Sequence, residues 1–126
     1  FVELEIKINF PKLVETVRRA FTKLETREEP LNTGIGESEL KEIAMDFKGT
    51  HIDKMKQIAE SQILKFGDFQ NGKMILQIIA KRLVLYWAKF DQLCRFVMKG
   101  ASPGWFSNLI SSQQLVFDIK PMTDSF

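Results

Sequence analysis

His51 and Cys94 are the only histidine and the only cysteine in the chain, the residue types from which a nucleophile–base pair is most readily built. No spacing brings the two together. His51 also falls in the first turn of a predicted helix, where a surface position is expected. Metal-ligand spacings are missing, which speaks against structural zinc. Gly34-x-Gly36 precedes a helix, but nothing ahead of it reads as the buried parallel strand that a phosphate-cradling loop follows, so a plain turn is the better reading. Glu37, Glu39 and Glu42 read as the solvated face of the next helix. The expectation is a protein that is not an enzyme and holds no metal or cofactor.

Composition narrows the partners. Basic and acidic residues number 18 and 16, a net charge of +2, and they are spread along the chain, so there is no basic stripe and nucleic acid is not expected. One cysteine cannot close an internal disulfide, and Cys94 sits in an apolar helical pattern; both point to a reducing, intracellular setting. At 126 residues one domain over 1–126 is expected, large enough for one continuous core. No signal peptide or spanning segment is recognisable. The first residue is Phe1 rather than Met, which suits a piece of a longer protein, so membrane attachment is expected only through a tail absent from this chain.

The element that must position everything else is the stretch Phe66 to Phe90. From Met74 to Ala88 it is interrupted only by Gln77, Lys81 and Arg82. A helix that is apolar nearly all round belongs inside other protein or a bilayer. Its longest unbroken apolar run, Leu83 to Ala88, falls far short of the roughly 20 residues that cross a membrane. A buried central helix over 72–90 is therefore expected, entered through the polar turn 67–73.

Shorter amphipathic segments surround it. Residues 1–10 alternate apolar and polar strictly, which predicts an extended strand, with a short first helix as the other reading. The only candidate partner for such a strand is Leu115, Phe117 and Ile119, or the edge of a second copy in a homodimer. Pro11 opens a helix expected to run to Thr26, followed by a loop over 27–36. Ser38 caps a helix ended by Gly49, and Thr50 with Asp53 starts another that reaches Phe66. The central helix is expected to break near Asp91. Ser102-Pro103 opens a last helix through Ile110, ended by 111–114.

Three stretches, in order, resemble homology motifs of the Bcl-2 family of apoptosis regulators. Leu40 to Phe47 (LKEIAMDF) is similar to the third motif, with Ala44 at its small position but Met45 where the motif has an aspartate. Asn71-Gly72-Lys73 resembles the Asn-Trp-Gly-Arg of the first motif, with the tryptophan missing and lysine at the arginine position. Residues 93–98 and Pro103-Gly104-Trp105 look like the rest of the central hairpin. Gly104-Trp105 aligns either with the opening of the second hairpin helix, which keeps the spacing, or with the second motif, which needs a deletion. The resemblance covers roughly 38 to 110.

It implies an all-α, Bcl-2-like bundle around the central helix. It also implies a groove, bordered by helices over 38–48, 51–66 and the start of 71–90, that accepts an amphipathic helix. The residues implied for that groove are Phe47, Ile52, Met55, Ile58, Ile63, Phe66, Ile75 and Ile79, with Asn71, Gly72 and Lys73 at its polar end. For Ile75 and Ile79 a plain core role is an equal reading. Lys73 would meet the aspartate of the incoming helix as a point charge, without the two-pronged geometry of arginine. Met45 removes the acid a killer protein would present. The resemblance thus implies an inhibitor that sequesters pro-apoptotic helices in the cytoplasm or at the mitochondrial outer membrane, of a short, divergent kind also found among virally encoded members. The competing expectation is a helical scaffold or tethering module without a ligand groove.

Overall fold

The computed structural model describes residues 2–22, 29–30, 34–66 and 69–123, with side chains for all of these except 63–66, 69–71 and 122–123. Among them are five α-helices and no strand: α1 (Val2–Asn9), α2 (Pro11–Ala20), α3 (Glu37–Phe66), α4 (Phe69–Met98) and α5 (Ser112–Thr123), with a 3₁₀ turn at Gly104–Asn108 before α5. The fold is all-α, as expected. Two 30-residue helices, each about 45 Å long at 1.5 Å per residue, form its frame. Helices α1 and α2 pack on α4, and α5 lies across both long helices.

The expected N-terminal strand is helical. Val2, Ile6 and Phe10 are spaced four apart as well as two apart, and this is the stripe that turns inward, with Ile6 and Phe10 buried. Leu4 and Ile8, the other half of the alternation, are left exposed. The segment that was to pair with it is α5, where Leu115 and Ile119 are buried and Phe117 is exposed. With 2–9 helical there is no strand edge for a second copy to extend. Pro11 separates α1 from α2 because a proline ring crowds the residue before it out of helical geometry. Phe10 (φ −131°, ψ 59°) makes the bend, which directs its ring into the core. Helix α2 stops at Ala20, short of Thr26: Phe21 turns extended (φ −126°, ψ 127°) and is itself buried, beneath the Lys89 ammonium 5.0 Å away.

Neither expected break in the long helices is present. Helix α3 passes through Gly49, and the residues expected to cap a new helix bond back to the preceding turn: Thr50 Oγ1 donates to the Asp46 carbonyl (2.8 Å) and His51 Nδ1 lies 2.9 Å from that of Phe47. The buried series Leu40, Ala44, Phe47, His51, Met55, Ile58 and Gln62 keeps one phase across Gly49. Two helices joined at an angle would not. Helix α4 passes Asp91, which forms an i,i+4 ion pair with Arg95 (3.1 Å), while Trp87, Phe90, Leu93 and Cys94 continue the buried stripe. It ends at Lys99 and Gly100, both in the left-handed region (φ 52° and 87°).

The expected last helix over 103–110 is only the 3₁₀ turn, and α5 begins where that helix was to end. Ser111 Oγ accepts from the Gln114 backbone N–H (3.0 Å), so the serine read as a terminator is the cap of α5. Trp105 in the turn is buried and donates its indole N–H to Glu37 at the start of α3 (3.0 Å).

The core centres on aromatic rings from three elements. Phe47 stacks on Trp87 at 4.1 Å between centroids and on His51 at 5.1 Å, and Phe10 meets it at 5.5 Å. Trp87 donates its indole N–H to the Ile110 carbonyl (2.8 Å), which anchors the chain entering α5. One expectation about the central helix needs correction. Helix α4 is not enclosed all round, since Met74 and Ile78 are 58% and 52% exposed.

A Cβ added at Gly49 meets nothing within 4 Å, and the residue does not have positive φ. Gly49→Ala should therefore raise stability by about 0.5–1 kcal/mol in urea denaturation. If Gly49 ended a helix in the left-handed conformation, the same change would lower it.

Candidate functional site

Four of the residues implied for the groove are closed off from the surface. Phe47, Met55, Ile58 and Ile79 are 2% exposed or less and belong to the core, so a docking helix could not reach them in this packing. Ile52 is 39% exposed, on the outer face of α3. Gly72 is buried, and Lys73 and Ile75 are half-buried in the first turns of α4. The side chains of Ile63, Phe66 and Asn71 lie outside the described residues. A mixed core-and-groove list of this kind follows from helical spacing, which marks the inward face but does not say whether the neighbour is another part of the chain or a partner.

Cavities lie elsewhere on the bundle. About 870 Å³ lies along α1 and α2, bordered by Leu4, Lys7, Pro11, Val14, Glu15 and Arg19, and a smaller one of about 290 Å³ lies between α2 and α3 near Phe10, Ile43, Asp46 and Lys54. Exposed ion pairs cross from α2 to α3, Lys12 to Glu42 (2.5 Å) and Arg19 to Glu39 (2.9 Å). Pairs this exposed contribute little to stability.

A tighter polar cluster joins α1, α2 and α4, and sequence reasoning missed it. The Glu3 carboxylate accepts from Tyr86 Oη (2.5 Å), from Arg18 Nη2 (2.9 Å) and from Arg82 Nε. The Arg18 and Arg82 guanidinium groups also lie over the Tyr86 ring, at 5.7 and 5.9 Å. Burial alone would raise the Glu3 carboxyl, but the three donors outweigh it and hold it below its ordinary value. Tyr86 is pushed up to about 12, first by burial and then by the Glu3 carboxylate it donates to. Glu3, Arg18, Arg82 and Tyr86 come from three helices, and only Arg82 and Tyr86, four apart on α4, are neighbours by local spacing. The cluster is a fastening between helices.

The catalytic candidates are likewise structural. His51 is buried rather than on the surface; its ring stacks on Phe47, and Nε2 lies 3.1 Å from Asp118 Oδ2, tying α3 to α5. Gln114 donates to the other oxygen of Asp118 (2.8 Å). Cys94 is buried, and its thiol is pushed up to about 12 by burial and then by Asp91, the opposite of an activated nucleophile. Gln62 is fully buried with neither amide atom hydrogen-bonded. Among the described residues no group of three or more His, Cys, Asp or Glu is placed to hold a metal, and no helix is long and apolar enough to cross a membrane.

What the surface offers is apolar side chains on helices: Leu4 and Ile8 on α1, Met45 and Ile52 on α3, Met74, Ile78 and Phe96 on α4, and Phe117 on α5. Comparison with known proteins adds nothing to this: no family model matches the chain, and no curated protein or solved structure matches it.

Two measurements check the cluster. A carboxylate with a depressed folded value stabilises above its ordinary value near 4.5 and loses that contribution as pH falls through the folded value. Glu3→Ala should thus cost roughly 1–2 kcal/mol at pH 7, discounted for partial exposure, and the gap to the parent should close as pH falls below the ordinary value near 4.5 and through the lower folded value. Tyr86 is the only tyrosine, so its ultraviolet titration reads one group. In the native protein phenolate should form only near pH 12, and the midpoint should fall in Glu3→Ala.

Proposed function

We propose that the protein is a non-catalytic binding module that takes up the amphipathic helix of a pro-apoptotic partner and so restrains cell death, in the manner of the Bcl-2 family that residues 38–110 resemble. The observation that carries this reading is at the start of α4. There a cation, Lys73, sits half-buried beside half-buried Ile75 and exposed Met74, where the resemblance expects the aspartate of an incoming helix. The exposed Met45 on α3 favours the inhibitory direction, because a killer helix would carry an acid at that position. The partners would be met in the cytoplasm or at the mitochondrial outer membrane.

Burial of Phe47, Met55, Ile58 and Ile79 favours a second reading, a scaffold or tethering module without a ligand groove. Calorimetric titration with pro-apoptotic helical peptides separates the two. The binding module should take up at least one with a Kd between nanomolar and micromolar, about −8 to −12 kcal/mol, and Lys73→Ala should weaken it by roughly 1–3 kcal/mol. A scaffold should take up none, and unchanged affinity in Lys73→Ala would remove that residue from the site.

A further inference from the structure

The outer face of α4 carries a stripe whose spacing its own fold does not explain. Met74, Ile78, Lys81, Leu85, Ala88 and Gln92 follow one another at intervals of four, three, four, three and four residues. This is the spacing of a seam between two helices wound side by side. Met74, Ile78, Lys81 and Ala88 are exposed, and Leu85 and Gln92 are half-buried, while the buried stripe of α4 runs along the opposite side through Leu76, Ile79, Leu83 and Phe90. A solvated face would normally be polar. Here three of its first four positions are large and apolar.

Charge says what kind of helix would cover it. Between residues 69 and 90 α4 has no acidic residue, and of its cations Arg82 pairs with Glu3 and Lys89 is buried over Phe21, while Lys81 stands on the stripe. Lys81 lies midway along the stripe and makes no ion pair among the described residues. A second copy laid along the same face would set Lys81 against another stripe that bears a lysine and no carboxylate, which is repulsive. We infer that this stripe is the seat of a partner protein's amphipathic helix, apolar at three- and four-residue spacing and bearing a carboxylate that meets Lys81. The inference rests on the helix-uptake part of the proposed function but not on its apoptotic part.

The test uses two peptides against the full chain. One is a synthetic amphipathic helix of about 20 residues, with leucine at the seam positions, one central seam glutamate and Lys, Gln and Ala elsewhere. The other is a pro-apoptotic death-motif helix. The synthetic helix should bind, Ile78→Asp and Lys81→Glu should each weaken it at least tenfold with unchanged circular dichroism, and a peptide with lysine in place of the glutamate should restore binding to Lys81→Glu. Absence of binding, or binding indifferent to both changes, overturns the inference. So does a dimer in ultracentrifugation that Ile78→Asp dissolves, or uptake by phosphatidylserine vesicles with none of the peptide. If the death-motif helix binds regardless of Ile78 and Lys81, the inference falls and the proposed function stands. If only the synthetic helix binds, with the expected sensitivities, the reverse holds.

Discussion

The stack of Phe47 on Trp87 is the contact on which the other helices depend. It joins the first half of α3 to the second half of α4 at 4.1 Å, and both side chains are shut off from water. Burying each ring contributes about 2–3 kcal/mol, and stacking adds about 1 kcal/mol beyond that. The contact also sets how the two long helices are aligned, because moving one by a single residue would turn the ring about 100° away from its partner. Around it the other elements are fastened by different means. Phe10 enters from the bend between α1 and α2, His51 carries the stack outward to Asp118 of α5, and the Trp87 indole holds the Ile110 carbonyl ahead of α5.

Much of the fold was legible from spacing, and the failures have physical causes. Helical periodicity located α2, the bulk of α3 and α4, and their buried faces, because a stripe at intervals of three and four survives in any packing. The alternation in 1–10 misled because period two and period four coincide at Val2, Ile6 and Phe10. Glycine at 49 and the Thr50–Asp53 pair read as punctuation, yet a glycine inside a helix is only a mild penalty when stripes on both sides bury against one neighbour. Ser111 was read as an end because it follows an apolar run; its hydroxyl caps what comes next.

The candidate site was harder to read. Spacing identifies which side of a helix avoids water but not what excludes the water, so Phe47, Met55 and Ile58 read as groove residues and belong to the core, whereas buried Ile79 follows the core role that was its equal reading. The converse error concerns Met74 and Ile78, which an all-round apolar reading of α4 buried and the fold leaves outside. The Glu3 cluster was invisible for another reason. Its members lie up to 83 positions apart, and only the assembled fold brings them within hydrogen-bond reach.

That separation has a consequence for the growing chain on the ribosome. Glu3 cannot find Tyr86 until the 83 residues from Leu4 to Tyr86 have been made. At ordinary elongation rates this is a delay of roughly 4–17 seconds. Throughout it α1 has no α4 to lie on, and Val2, Ile6 and Phe10 are as open to water as Leu4 and Ile8 remain afterwards. During that wait a chaperone would find two apolar stripes on α1, Val2–Ile6–Phe10 and Leu4–Ile8, instead of one.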